Sequence, residues 1–237
     1  MKIALIGYGK MGKEIESIAL SRGHSIHLII DLENAQDIQS DIFRECDVAI
    51  EFTRPSSVLS NISEAFNASI PIVTGTTGWH EELNSITEKC NAGNNALFHA
   101  SNFSIGVNLF FAINKYASKI MNKFTDYEVS MEESHHVHKL DAPSGTAISL
   151  ANIITDNLDR KESWTLKQPE TEQIPIQVIR EGEITGIHKV QYDSNVDTIN
   201  LSHNAKNRSG FALGAVLAAE FIFNKQGVFT MSDLLGT

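Results

Sequence analysis

Short apolar runs alternate with amphipathic stretches over the first hundred residues. KIALIG (2–7) is an unbroken apolar run and predicts a buried strand. KMGKEIESIALSRG (10–23) repeats its apolar positions Met11, Ile15, Ile18 and Ala19 at helical spacing and stops at Gly23. SIHLIID (25–31) and VAIEFT (48–53) predict two more strands, with the helix PSSVLSNISEAFNAS (55–69) opening on Pro55. IPIVTGTT (70–77) and NALFHASN (95–102) follow as strands, with the helix HEELNSITEKC (80–90) between them. No connection here is short enough for a hairpin. Strands that alternate with helices predict right-handed crossovers and a parallel sheet of Rossmann type.

The pattern changes near residue 104. A long helix, 105–124, leads into the strand DYEVSMEES, and a second helix covers 145–158. A polar, proline-bearing linker (159–175) precedes three strands in succession, IPIQVIREGE, GIHKVQYDS and DTINLSH. Gly182, Gly186 and Ser194-Asn195 mark their turns, so an antiparallel or mixed sheet is expected. The whole is an α/β chain: a Rossmann-type parallel-sheet domain plus an α+β domain with a mixed sheet. The last helix, 210–224, fits either domain.

Composition narrows the partners. The formal net charge is −10, whereas a nucleic-acid surface must be basic. The two cysteines, Cys46 and Cys90, are far apart and in no CxxC, which suits a reducing cytoplasm and excludes a disulfide framework. The opening MKIALIGYGKMG is too short and glycine-broken for a signal peptide. GFALGAVLAAEFIF contains Glu220 and is shorter than a membrane span, so no membrane partner is expected.

Chemistry enters at GYGKMG. Gly7, Gly9 and Gly12 follow a strand and open a helix, the setting that a dinucleotide fingerprint requires. Gly7 permits the tight turn, Gly9 lets a pyrophosphate reach the backbone, and Gly12 allows close helix–strand packing. The free N–H groups and positive end of the helix would face the phosphates. Asp31 closes the second strand, where an acid can bond ribose hydroxyls. Gly75–Gly78 and Ala100–Phe103 end later strands on the same edge and are expected to line the nicotinamide side. Phe52, Thr53 and Arg54 are weaker candidates to flank the phosphates.

The densest cluster is ESHHVHKLDAPSGTA (133–147). Neighbouring side chains on a strand point to opposite faces, so His135 and His136 are expected to do different jobs. Ser144 is a natural N-cap, and helix geometry leaves the N–H groups of Gly145 and Thr146 free. With Lys139 this makes a carboxylate-binding arrangement beside an imidazole able to move a proton near neutral pH. Two other readings compete. One is a zinc site using Glu132, Glu133 and the histidines, disfavoured because adjacent histidines diverge and a lysine stands beside them. The other is a solvated polar loop.

The same stretch resembles the signature of the dihydrodipicolinate reductase family, the 4-hydroxy-tetrahydrodipicolinate reductases of diaminopimelate and lysine biosynthesis. That signature runs approximately E-x-H-H-x-x-K-x-D-x-P-S-G-T-A, and each fixed position matches here. IGYGKMG, FTRP, VTGTTG, ASNFSIGVN and NRSGFALGAVLAAEF extend the resemblance along nearly the whole chain. It implies an NADH- or NADPH-dependent oxidoreductase acting on a small dicarboxylate, with no metal. His135 resembles the proton donor and Lys139 its partner acid. His136, Lys139, Ser144, Gly145 and Thr146 resemble the carboxylate-binding set. Gly7, Tyr8, Gly9, Lys10, Met11, Gly12, Asp31, Phe52, Thr53, Gly75, Thr76, Thr77, Ala100, Ser101, Asn102 and Phe103 fall on the cofactor-binding positions. The implied organisation is a dinucleotide domain of residues 1–103 with 207–237, and a substrate and tetramerisation domain of 104–206 forming a homotetramer. One departure stands out: Leu32 follows Asp31 where many members carry a basic residue, which weakens the case for strong NADPH preference. Another two-domain dehydrogenase of amino-acid metabolism, for instance one acting on a semialdehyde, and a non-catalytic dinucleotide sensor are the alternatives.

Overall fold

The computed structural model describes residues 1–207 and 209–237; Arg208, in the NRSGFALG stretch, lies outside the described residues. The chain divides into two compact units, residues 1–105 with 209–237 and residues 106–208.

The first unit is built on six parallel strands: β1 (Lys2–Ile6), β2 (Ser25–Ile30), β3 (Val48–Glu51), β4 (Ile72–Thr74), β5 (Ala96–His99) and β11 (Gly227–Phe229). Their order across the sheet is β11-β5-β4-β3-β1-β2. The direction of winding therefore reverses between β1 and β3, and in such sheets ligands bind outside the carboxyl ends of the strands at that point. The helices are α1 (Lys10–Ser21), α2 (Asp41–Arg44), α3 (Pro55–Asn67), α4 (Leu83–Ala92), α7 (Ser209–Ile222) and α8 (Met231–Leu235).

Strand alternation sorts the core into two layers. Ala4, Ile6, Ala49, Ile72 and Leu97 pack with Val58 and Ile62 of α3 and Ile86 of α4. Ile3, Leu5, Val48, Ile50, Val73 and Phe98 pack with Ile15 and Ala19 of α1 and Ala215 and Ala219 of α7. Both faces being covered explains why these strands read as continuous apolar runs. The apolar helix α7, which the residue pattern leaves open to either domain, supplies six buried residues to this second layer, from Ala212 to Ile222.

The second unit contains α5, which begins at Ile105 and runs to Met121, then β6 (Glu128–His135), α6 (Gly145–Thr155), β7 (Ser163–Thr165), β8 (Gln173–Arg180), β9 (Ile187–Asp193) and β10 (Thr198–Asn204). Its mixed sheet has the order β10-β9-β6-β8-β7. Phe110, Leu150, Ala151 and Ile154 from the helices cover Val129, Met131, Ile174, Ile176, Val190 and Tyr192 of the sheet.

Several local expectations are corrected. The stretch 159–175 is not a bare linker, because Ser163–Thr165 pairs in parallel with Gln173–Pro175. The three later strands do not follow one another across the sheet. β8 and β9 flank β6, which runs parallel to β8 and antiparallel to β9, and of these three later strands only β9 and β10 are adjacent. The turn 181–186 thus crosses the end of β6, where the His136 N–H bonds to the Ile184 carbonyl at 2.7 Å. A pair of short strands separated by glycines carries no signal for a third strand between them. β11 and α8 carry no signal in the sequence, since three and five residues are too few to show a period.

Candidate functional site

In the first unit, the end of β1 turns through Gly7 at φ +93°. A Cβ there would stand 2.2 Å from the Phe52 carbonyl oxygen, and one at Gly12 would stand 2.3 Å from the Gly7 oxygen, so β1, β3 and α1 approach closely only because these side chains are missing. Gly9 differs: an added Cβ would meet nothing within 4 Å. It precedes a helix with no side-chain cap and no acid in its first turn. Helix geometry leaves the first N–H groups there without intrahelical partners, as an anion site requires.

A cavity of about 240 Å³ lies at this place, walled by Gly7, Tyr8, Gly9, Asp31, Leu32, Phe52, Thr53 and Arg54 among others. Asp31 closes the wall and also caps the 3-10 helix that follows: its Oδ1 accepts from the Leu32 N–H at 2.9 Å. Lys10, Met11 and Gly12 belong to the first turn of α1, outside the cavity wall.

The remaining cofactor candidates stand at the ends of β4 and β5, apart from that cavity. Thr76 is buried, accepting from the Thr53 N–H at 2.8 Å and donating to Glu51 at 3.0 Å, while Thr77 is exposed. Gly75 fits against the Phe52 ring. Ala100 and Asn102 are half-buried and Ser101 is exposed. The Phe103 ring is buried against Phe52 and Phe98, with centroids 5.5 and 5.8 Å away, so its side chain serves the core. Beneath these turns sits Glu51, fully buried, which accepts from Thr74 at 2.5 Å and Thr76 at 3.0 Å and so ties β3 to β4. Sequence reading missed it, although an acid inside the apolar run VAIEFT is itself a signal that donors surround it.

In the second unit, alternation along β6 puts Val129, Met131, Glu133 and His135 on the helix-covered face. His135 is 7% exposed and Glu133 fully buried. Glu133 is held at both oxygens: Arg180 Nη2 donates to Oε1 at 2.9 Å, and the Ser144 N–H donates to Oε2 at 2.9 Å. Burial alone would raise this carboxyl, but hydrogen bonds from Ser144 and Arg180 outweigh it and hold the group below the usual carboxylate range. His188, from β9, places Nε2 3.0 Å from Ser144 Oγ, and its ring meets His135 edge-on at 5.1 Å. Burial, with His135 alongside, pushes His188 down to about 4, and burial also lowers His135. His188 is therefore neutral near pH 7, and burial disfavours the charged form of His135.

Ser144 caps α6, accepting from the Ala147 N–H at 3.2 Å. Gly145 is exposed and Thr146 half-buried at the first turn, where helix geometry leaves their N–H groups for an incoming acceptor. Lys139 is ion-paired to Asp141, with Nζ 2.8 Å from each carboxylate oxygen. Arg180 also holds that loop through the carbonyls of Lys139 (3.3 Å) and Asp141 (2.7 Å). His135, Lys139, Ser144 and the α6 terminus are thus linked into one network. His136 stands apart from it, its ring beside His138 with centroids 6.0 Å apart. Glu133 entered the sequence reading only as a ligand of the disfavoured zinc site, and Arg180 and His188 were missed altogether. Only the burial implied by their strand positions could have pointed to them.

Glu133, His135 and His188 bring potential metal-ligating atoms within 4.8 Å of one another. Both Glu133 oxygens are already taken by Arg180 and Ser144, and those donors explain the buried carboxylate without a metal. Glu132, His136 and His138 of the zinc reading are not in this group.

Comparison with known proteins follows the same two-part division. The family model "Dihydrodipicolinate reductase, N-terminus" matches residues 1–103, and "Dihydrodipicolinate reductase, C-terminus" matches residues 106–235. A 4-hydroxy-tetrahydrodipicolinate reductase from Christiangramia forsetii is 44% identical over 235 residues, covering 99% of this chain and 98% of that one. A protein of the same name from Methanosarcina mazei is 33% identical over 240 residues, covering 99% and 89%. Among solved structures, the dipicolinate-bound dihydrodipicolinate reductase from Paenisporosarcina sp. TG-14 superposes with a TM-score of 0.79 at 24% identity, over 97% of each chain. Family models that match both units, and identities of 44% and 33% sustained over 99% of the chain, mean that it belongs to the dihydrodipicolinate reductase family.

Proposed function

We propose that this protein reduces 4-hydroxy-tetrahydrodipicolinate, by way of dihydrodipicolinate, to tetrahydrodipicolinate in diaminopimelate and lysine biosynthesis, using NADH or NADPH. The observation that carries the reading is the network joining His135, Lys139 and the Ser144-capped end of α6. A ring dicarboxylate needs cationic or N–H partners for its carboxylates and a proton donor beside the ring, and this network supplies both. The nicotinamide supplies the hydride. As hydride arrives, negative charge develops on the ring, and a nearby cation and proton donor stabilise that charge selectively. Lys139 serves as cation and partner acid, exchanging Asp141 for a substrate carboxylate. His135 delivers the proton, and two substrate carboxylates nearby would favour its protonated form. Ser144, Gly145 and Thr146 complete the carboxylate set, which His136 would join only by moving from its place beside His138. The direct test is loss of absorbance at 340 nm when NADH and freshly generated hydroxytetrahydrodipicolinate meet the protein. A dinucleotide sensor would show none. A semialdehyde dehydrogenase would need a reactive thiolate, yet both cysteines are buried and burial pushes the Cys46 thiol up to about 11.

A homotetramer formed through the second unit's sheet belongs to this reading, supported by the outer strand β10, where Thr198, Ile199, Asn200, Ser202 and Asn204 are exposed. So does a cytoplasmic setting, supported by two unpaired cysteines. Among the described residues, no helix is long and apolar enough to cross a membrane.

The cradle makes a specific demand on Thr146. Thr146→Val keeps the shape and removes a hydroxyl donor, so KM is expected to rise by the equivalent of roughly 1–3 kcal/mol, with kcat less affected. Pyridine-2,6-dicarboxylate is expected to compete with the substrate; competition with the dinucleotide alone would place the cradle elsewhere. Added chelator is expected to leave activity intact.

Cofactor preference turns on the wall of the first unit's cavity. A 2′-phosphate would bring negative charge beside Asp31, and Leu32, 74% exposed, offers no guanidinium to offset it. Arg54 is the one cation among the described lining residues. NADH is therefore expected to work at least as well as NADPH in steady-state kinetics. Leu32→Arg should shift kcat/KM towards NADPH, less so at high salt. A wild-type preference for NADPH above about tenfold, roughly 1.4 kcal/mol, would mean that Arg54 or another base already serves the phosphate.

A further inference from the structure

Glu133 lies at the centre of the second unit's network without any part in the reaction described above. Its Oε2 is 3.8 Å from His135 Nδ1 and 3.7 Å from His188 Nε2, so the carboxylate stands between two buried imidazoles. His135 Nδ1 is buried and has no hydrogen-bond partner. The other nitrogen of that ring, Nε2, lies on the Gly186 side, where a Cβ would come within 3.1 Å of it.

We propose that Glu133 is a positioning residue for the proton-donating imidazole: it holds His135 with Nδ1–H turned inward, so that Nε2 is the atom that exchanges the proton of the reaction. The inference rests on the assignment of His135 as proton donor. A neutral imidazole carries one hydrogen, and a carboxylate can only accept. A bare Nδ1 facing Oε2 would set lone pair against lone pair, whereas Nδ1–H facing Oε2 is attractive and needs only a small contraction, of the kind that substrate binding brings. The tautomer is thereby fixed from behind the ring.

The surroundings keep Glu133 in place for this role. Arg180 Nη2 and the Ser144 N–H fix one oxygen each, at 2.9 Å. His188 packs against the His135 ring and is itself anchored on Ser144 Oγ at 3.0 Å. Gly186 leaves room on the opposite side. When His135 takes up a proton, Glu133 favours the cation while Lys139 and Arg180 oppose it, and Asp141 offsets part of the Lys139 charge. The same carboxylate fixes Ser144, so the proton donor and the start of the carboxylate cradle share one anchor.

The test reads the tautomer directly, independent of turnover. In protein labelled with ¹⁵N-histidine, long-range ¹H–¹⁵N spectra near neutral pH distinguish Nδ1–H from Nε2–H, and His135→Asn identifies the resonance. Wild-type His135 is expected as Nδ1–H. Glu133→Gln removes the charge and is expected to change the tautomer. It should also move the high-pH limb of kcat down by roughly one unit, because the imidazolium loses its anionic partner. A residue with only a structural role would lower kcat and leave both readouts where they were. Wild-type His135 found as Nε2–H overturns the proposal, as does Glu133→Gln with unchanged tautomer and limb. Should Glu133→Gln not fold, the wild-type spectrum still decides, and Arg180→Gln, which frees one Glu133 oxygen, is expected to give a mixture of tautomers. An Nδ1–H tautomer in a protein inactive on hydroxytetrahydrodipicolinate would count against the proposed function and leave the positioning role standing.

Discussion

His135→Ala and Lys139→Ala are each expected to lower kcat by on the order of 10²-fold or more, the usual scale for a lost general acid. The expectation comes from their joint place in the network. His135 is buried against Glu133, and Lys139 sits on the loop that Arg180 fastens to the same carboxylate. Groups that act on one charge in one transition state are not independent, so the double variant should lose less than the product of the single losses. Dinucleotide affinity should hardly move, because its candidate site is in the other unit. Stopped-flow measurement of the 340 nm signal separates the chemical step from product release. Turnover near the wild-type value in the His135 variant would remove that residue from its assigned role.

Gly7→Ala is expected to be the most damaging small substitution in the first unit. The turn holds φ at +93°, and the new Cβ would lie 2.2 Å from the Phe52 carbonyl oxygen. Strained backbone and overpacking together cost on the order of 3–5 kcal/mol, so the melting temperature should fall and dinucleotide binding should be lost with the turn geometry. Gly9→Ala is the control. Its Cβ meets no protein atom within 4 Å, so stability should change by no more than about 1 kcal/mol. The dinucleotide, whose pyrophosphate needs that space, should nonetheless bind more weakly. Thermal unfolding with fluorescence titration of NADH checks both. Equal stability of the two variants would show that the β1–β3 approach is not as tight as described.

The contrast between those two glycines shows what a sequence can and cannot convey. GYGKMG after an apolar run and before a helix was enough to specify a βα turn. Each of its glycines answers a local demand of backbone geometry, and local demands are written in consecutive residues. The alternation along KIALIG and VAIEFT, and the 3.6-residue period of KMGKEIESIALS, likewise specified strand, helix and buried face before any contact was known. The Ser144 cap and the bare first turn of α6 were legible for the same reason. The signature ESHHVHKLDAPSGTA carried the family.

What the chain order concealed is which distant residues share a space. Glu133 and His135 are two residues apart, and alternation alone puts them on one face. Arg180 and His188 come from β8 and β9, some 45 and 53 residues beyond His135 by their numbering. They meet it only because β6 inserts between those two strands, and the 181–186 turn wraps the end of β6. Strand order in a mixed sheet depends on how the helices cover one face and on which edges pair. Both are long-range packing outcomes with no counterpart in the hydrophobic pattern of any single strand. The sequence by itself determined the longer elements, the glycine turn and the histidine cluster. Only the tertiary structure decided that one buried carboxylate would sit between two imidazoles, because a charge can be kept at that depth only where donors from several elements converge on it.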